Sequence, residues 1–323
     1  MENGIGVTVK KGIVVLETRP VGLSEDTAVK RDGSIYKAEV GLRWDNFGRP
    51  VGAILAGAMV RAASEEAGMS AVVSTTTEFL NRAQIGEAEI ICEVVRQSSV
   101  LCCVKTLAVQ EDRKICQGTT WLSTGHRRHS HFAAPPEVPD WSAVPTADER
   151  VGPGNFAFSG VLEQRPLVWI DDFARRPESA PCNSMTWVRF TPGSSTRDLV
   201  TKACEVLVVG DLNPPMTMIV ASPRYETMAV GAQTIALSAH LGSLEDDSEH
   251  LLIETSVECL SGIVLTGVAR VWTERMALRG LVTASYRISH PRPLRPASNQ
   301  RNVTIETSHF PWRHFSSLLP RSS

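Results

Sequence analysis

The chain has 323 residues, 42% hydrophobic and 21% charged, with a formal net charge of −2. That balance excludes a broad electrostatic footprint for nucleic acid and leaves enough apolar material for the cores of a two-domain protein. No apolar run approaches the roughly 20 residues that span a bilayer, so no membrane span is expected. The opening Met1-Glu2-Asn3-Gly4 lacks the basic start and apolar core of a signal peptide, and the closing Pro-Arg-Ser-Ser is not a peroxisomal address. Seven cysteines, none in a Cys-x-x-Cys pair, read as reduced thiols. A cytoplasmic protein is the expectation.

Residues 5–18 carry Val7, Val9, Ile13, Val14, Val15 and Leu16 and predict one or two short strands. Ser34 to Leu42 is a further strand candidate. Arg43 to Pro50 is a polar, glycine-bearing turn, with Asp45 and Asn46 as turn or cap residues and Pro50 suited to a helix start. From Val51 to Gly68 nearly every residue is apolar or small, which predicts a helix buried all round. Four strand runs follow: Ala71–Leu80, Glu87–Gln97, Val100–Gln110 and Lys114–Ser123. Their breaks are of hairpin length. One buried helix and an antiparallel meander argue an α+β unit with the sheet wrapped around the helix.

Residues 125–160 are rich in Pro, Gly and polar residues and read as a linker. His126, His129 and His131 have no companion Cys or carboxylates at ligand spacing, so no metal site is expected. After the strand Thr186–Phe190, the pairs Leu199/Val200, Ala203/Cys204 and Leu207/Val208 mark one stripe of a helix. Ser194, Ser195 and Thr196 offer capping oxygens and Gly210 a stop, and the two prolines after Asp211-Leu212-Asn213 argue against continuation. A carboxylate at a helix C-terminus faces the negative end of the dipole, so stability alone does not ask for Asp211. Four more strand runs, Gln233–Gly242, His250–Leu260, Ile263–Met276 and Arg279–Ser289, repeat the order of the first half. Residues 291–323 predict a loosely packed tail. The domain expectation is 1–124, a linker at 125–160, 161–290, and a tail at 291–323.

Local strings resemble the acyl-CoA thioesterase II (TesB-like) family. Phe47-Gly48-Arg49-Pro50-Val51 is similar to that family's Phe-Gly-Gly-Gln-Val, and Phe79-Leu80 to its Phe-Leu. Trp187-Val188-Arg189 resembles its Trp-Ile-Arg. Asp211-Leu212-Asn213 matches its Asp-Leu-Asn, and Thr234-Ile235 its Thr-Ile. The resemblance implies a double hotdog: two long central helices, each wrapped by an antiparallel sheet, with the sheets paired into one continuous sheet. It implies thioester hydrolysis by a water held by the Asp, the Thr and a Gln on the last strand. The carry-over gives Asp211 and Thr234. Aligning Leu281-Val282 puts Arg287 where the Gln is expected, with Ser285 and Ser289 as register alternatives, and Ala236 stands where the family tends to place an acid.

The chemistry needs a water near the carbonyl carbon, a base and donors for the oxyanion. Asp211 suits the base, Thr234 the orienting hydroxyl, and the first N–H groups of the Val51 helix the oxyanion donors. Gly48 and Gly52 would allow close approach of the thioester. The expected substrate-binding set is Gly48, Val51, Gly52, Asn213, Ser285 and His240. Arg287, always protonated, would hold Asp211 ionised or bind a substrate carboxylate. Arg82, Arg96 and Lys105 are read as scattered surface charge rather than contacts to a CoA phosphate.

Neither a Gly-x-Ser-x-Gly elbow nor a dinucleotide or P-loop signature is present, so no cofactor is expected. The expected partner is an acyl-CoA or acyl-carrier thioester, with homo-oligomerisation open. The alternatives are a hydratase or dehydratase using His240, and a non-catalytic acyl-binding protein.

Overall fold

The computed structural model describes residues 6–10, 13–17, 22–44, 50–125, 133–153, 158, 160–169, 182–191, 197–221 and 232–288. Asp45, Asn46, Gly48, His126, His129, His131, Ser194, Ser195, Thr196, Ser289 and the tail at 291–323 lie outside these residues. No helix among the described residues is long and apolar enough to cross a membrane. The chain divides into two compact units. The first takes Met1–Arg128, Phe190–Val208 and Leu244–Asp247, and the second His129–Arg189, Val209–Ser243 and Ser248–Ser323.

The first unit begins with a separate antiparallel hairpin, β1 (Gly6–Lys10) and β2 (Ile13–Glu17). A single-turn helix α1 (Leu23–Asp26) precedes β3 (Val29–Asp32) and β4 (Ile35–Val40). Gly33, at φ +62, makes the tight turn between the two strands. A 3-10 turn at Leu42–Trp44 follows, in which Asp26 accepts from Trp44 Nε1 at 2.7 Å and from Arg43 at 2.9 Å.

Helix α2 (Gly52–Ala67) fills the middle of the unit. Leu55, Ala58, Met59 and Ala62 bury against Tyr36, Ala38, Val40, Ala88, Ile90, Ala108, Ile115 and Cys116, so the sheet closes over a helix whose small residues let it approach. Gly68 ends α2 in the left-handed region, at φ +63. The sheet is completed by β5 (Ala71–Phe79), β6 (Gly86–Gln97), β7 (Leu101–Gln110) and β8 (Arg113–Ser123). Its antiparallel order is β3-β4-β6-β7-β8-β5. Glu111 and Asp112 at φ +49 and +60 form the two-residue turn between β7 and β8. The helix and four-strand order expected here is present; β3 was not anticipated, because Val29-Lys-Arg-Asp has one apolar residue and is mostly exposed.

In the second unit the described part of the Pro-rich stretch is packed. A 3-10 turn at Trp141–Ala143 and helix α3 (Ala147–Val151) are held to the unit by named contacts. Trp187 Nε1 donates to Pro139 O at 3.0 Å and Arg165 to Val144 O at 2.7 Å, and Trp141 stacks on His250 at 3.7 Å. Two strands, β9 (Leu162–Pro166) and β10 (Asn183–Phe190), precede helix α4 (Leu199–Ala221). Then come β11 (Gln233–Leu241), β12 (Leu251–Ser261), β13 (Val264–Thr273) and β14 (Leu278–Arg287). The order in this unit is β11-β14-β13-β12-β10-β9.

Helix α4 contributes residues to Val208 to the first unit and the rest to the second. Its start is capped by Asp198, whose Oδ1 accepts from Thr201 N at 2.6 Å. Near its start, Cys204 Sγ donates to Gly57 O of α2 at 3.6 Å, and a Cβ at Gly57 would stand 3.1 Å from that sulfur. The glycine lets the two helices touch.

Candidate functional site

The expected stop at Gly210 is not observed. Helix α4 runs on to Ala221 with Pro214 and Pro215 inside it, which places Asp211 mid-helix. A proline in a helix interior has no N–H for the carbonyl four residues earlier, so the carbonyls of Gly210 and Asp211 lose their helical donors. Tyr286 of β14 stands at that gap. Its hydroxyl donates to Asp211 O at 2.7 Å and lies 3.5 Å from Gly210 O. Carbonyls on either side of the gap gain side-chain donors from within the helix: Asn213 Nδ2 donates to Val209 O at 2.7 Å, and Thr217 Oγ1 to Asn213 O at 3.0 Å. The continuation is thus carried by side-chain donors, which the proline rule alone does not anticipate.

Two glycines let the sheet press against this turn. A Cβ at Gly210 would fall 2.6 Å from Val282 Cγ2, and one at Gly267 of β13 would fall 2.5 Å from Pro214 Cβ. The Asp211 side chain itself is buried, with only 4% of the residue exposed. Thr234 Oγ1 donates to Asp211 Oδ1 at 2.7 Å, so the two residues singled out from the sequence meet in the second unit. Burial, and next the charge of Asp211, push the Tyr286 phenol well above its ordinary value. Its proton therefore stays on through the neutral range, and the hydroxyl remains a donor.

The facing of the other expected residues follows from register. Thr234 pairs with Tyr286, but Ala236 pairs with Ser285, so Ile235 is a bulge. A bulge inserts one extra residue and reverses the alternation beyond it. Leu237 and Ala239 are therefore buried while His240 is exposed. His240, expected on the face of Thr234, is on the opposite one.

On β14, Val282, Ala284 and Tyr286 are buried and Thr283 and Arg287 are exposed. Arg287, expected as a third wall beside Asp211, points away from it, because successive strand residues alternate. Ser285 shares the outer face and lies 3.3 Å from Thr266 Oγ1 across the sheet. Ser285 and Arg287 share one parity, and the residue between them, Tyr286, is the one on the inner face; Ser289, the other register alternative, lies outside the described residues.

Asn213 is occupied by its bond to Val209 O. In the first unit, Val51 is the buried residue preceding α2, and its N–H donates to Trp44 O at 3.0 Å. The open side of Gly52 is taken by the ring of Phe79, 2.7 Å from where a Cβ would sit. That glycine serves close packing. Tyr286 was missed because a tyrosine between Ala284 and Ile288 on an apolar strand face reads as core. Its signal was the proline pair, which leaves two carbonyls in need of a donor. Among the described residues no group of three or more His, Cys, Asp or Glu is placed to hold a metal ion.

Residues 41–123 match the family described as acyl-CoA thioesterase N-terminal domain. A Thermobifida fusca protein provisionally assigned as a thioesterase II is 21% identical, with a TM-score of 0.67 over 82% of this chain and 98% of that one. The acyl-CoA thioesterase II TesB2 of Mycobacterium marinum is 16% identical, with a TM-score of 0.65 over 84% of this chain and 99% of that one. A protein of unknown function with a hot dog fold from Alicyclobacillus acidocaldarius is 17% identical, with a TM-score of 0.64 over 84% and 98% of the two chains. No curated protein matches the chain. The chain has the hotdog fold, and its segment 41–123 matches the acyl-CoA thioesterase N-terminal domain family.

Proposed function

We propose that the protein hydrolyses an acyl-CoA or acyl-carrier thioester with a water held at Asp211 and Thr234. The observation that carries this reading is the 2.7 Å bond from Thr234 Oγ1 to Asp211 Oδ1, on a carboxylate that is buried. In the proposed reaction the water oxygen attacks the thioester carbon as its proton passes to Asp211. The tetrahedral intermediate then collapses with loss of the thiolate, and the proton leaves Asp211 for the sulfur. Thr234 fixes the carboxylate so that little reorganisation is needed in the transition state. The family match over 41–123 and the fold support the substrate class.

The same order of a helix followed by four antiparallel strands recurs in each half, which supports two hotdogs within 1–124 and 161–290, joined by 125–160. A dehydratase reading has no support, because His240 lies on the face away from Thr234.

The test is incubation with acyl-CoAs of graded chain length while free CoA thiol is followed. Thiol release by the wild type, reduced about a hundredfold or more in Asp211→Asn, is the expected result. No release from any acyl-CoA, or equal release by the variant, overturns it.

A further inference from the structure

We infer that Tyr286 is a positioning residue: its hydroxyl replaces the helical N–H groups that Pro214 and Pro215 remove, and so sets where α4 presents Asp211 to Thr234. The kinetic arm of this inference rests on the thioesterase reading; its structural arm does not.

In an unbroken helix, residue 214 would donate to the carbonyl of Gly210 and residue 215 to that of Asp211. Both residues are prolines. A buried carbonyl left without a donor loses its hydration and gains nothing in return, so native structures rarely leave one unpaired. The Tyr286 hydroxyl meets both at once, at 2.7 Å from Asp211 O and 3.5 Å from Gly210 O. The side chains of Asn213 and Thr217, close by on the same helix, bond instead to Val209 O and Asn213 O.

Placement on the sheet gives the tyrosine its second link. Tyr286 is the direct cross-strand partner of Thr234. One strand pair therefore holds both ends of the site, Thr234 through the carboxylate and Tyr286 through the main chain of the same aspartate. Glycines at 210 and 267 admit the close approach that this needs. The phenol keeps its proton, because burial, followed by the neighbouring charge of Asp211, raises its ionisation well above the ordinary value.

This arrangement makes a rescue possible that a merely space-filling tyrosine would not show. Tyr286→Phe keeps the ring and removes the donor. Pro215→Ala supplies a backbone N–H to Asp211 O, the acceptor Tyr286 serves at the shorter distance. Pro214→Ala supplies one to Gly210 O, the more distant acceptor. Steady-state hydrolysis of an acyl-CoA that the wild type turns over is measured for Tyr286→Phe alone and combined with each proline replacement. We expect kcat to fall roughly tenfold or more in Tyr286→Phe with KM near the wild-type value, most of the loss to return with Pro215→Ala, and less to return with Pro214→Ala. No loss in Tyr286→Phe, no return with Pro215→Ala, or an equal return from either proline replacement overturns the assignment.

If the wild type releases thiol from no acyl-CoA, the thioesterase reading falls, and the assignment is decided by the Asp211 carboxyl-carbon NMR signal at fixed pH in ¹³C-aspartate-labelled protein. That signal moves in Tyr286→Phe and returns in the double variant if Tyr286 positions the aspartate. A signal that stays in place sinks the idea. If Tyr286→Phe does not fold, folding regained with Pro215→Ala counts for the assignment, and continued unfolding counts against it.

Discussion

Gly210 of α4 and Val282 of β14 are pressed together so closely that a methyl group added at the glycine would stand 2.6 Å from the valine Cγ2. The contact sits one residue before Asp211, so helix height above the sheet and carboxylate position are set by one small residue. Gly210→Ala should therefore destabilise the protein despite the better helix propensity of alanine. The overpacking cost is about 1–3 kcal/mol against a propensity gain of up to about 1 kcal/mol. The check is denaturant unfolding of Gly210→Ala beside Gly210→Ala/Val282→Ala. The second variant should recover stability relative to the first, and a failure to recover would show that the clash is relieved elsewhere.

Thr234→Val should cost less than loss of the aspartate. Valine keeps the shape of threonine but cannot donate to Asp211 Oδ1, the bond measured at 2.7 Å. In the proposed mechanism the base remains and only its orientation is loosened. We expect a loss in kcat of roughly tenfold, below the general-base range of about 10²–10⁴. Thiol-release kinetics on one acyl-CoA, run for Thr234→Val and Asp211→Asn together, give the ranking directly. A threonine variant slower than the aspartate variant would reverse the proposed roles.

Asp198 supplies a pH-dependent contribution at the other end of α4. Burial acts to raise its pKa, but the bonds from Thr201 and the charge of Arg61 win, and the carboxyl lies below its ordinary value. A carboxyl depressed in the folded state adds stability above its unfolded pKa and loses it as pH falls through the folded value. Asp198→Ala should lose about 1 kcal/mol near neutral pH, the usual cost of a lost cap. The difference between wild type and variant should shrink in acid, below the ordinary carboxylate range. Thermal unfolding at neutral and acid pH reads both effects. A difference that is the same at the two pH values would mean that the carboxylate charge is not what stabilises the helix.

Much of this fold was legible because its signals are local. The strands β5 to β8 and β11 to β14 follow runs of apolar residues broken by short turns, and α2 follows a run of small apolar residues ended by Gly68. The contact between Asp211 and Thr234 was legible through strings resembling a family. What could not be read were features that depend on one added residue or one remote atom. The bulge at Ile235 moves His240 to the outer face, and nothing in Thr-Ile-Ala announces it. The passage of α4 through two prolines depends on a hydroxyl 75 residues away in sequence. The packing of the Pro-rich stretch depends on Trp141 finding His250 and on Pro139 finding Trp187.

Arg287 is where alignment and register part most clearly. Leu281-Val282 sets it against the family's glutamine, and read so it would add a fixed positive charge beside Asp211. The ladder gives another answer. Thr234 faces Tyr286, Gln233 faces Arg287, and the arginine is exposed with Thr283 on the outer side of β14. A guanidinium there is exposed, and among the described residues it forms no ion pair. Arg287→Gln should therefore leave hydrolysis of a neutral acyl-CoA and of an acidic one of equal length unchanged, and stability within about 0.5 kcal/mol, as for most surface substitutions. Paired rate measurements on the two substrates decide it. A rise on the neutral substrate with a fall on the acidic one would mean that the arginine reaches the site, and that β14 is displaced by one residue from the register described.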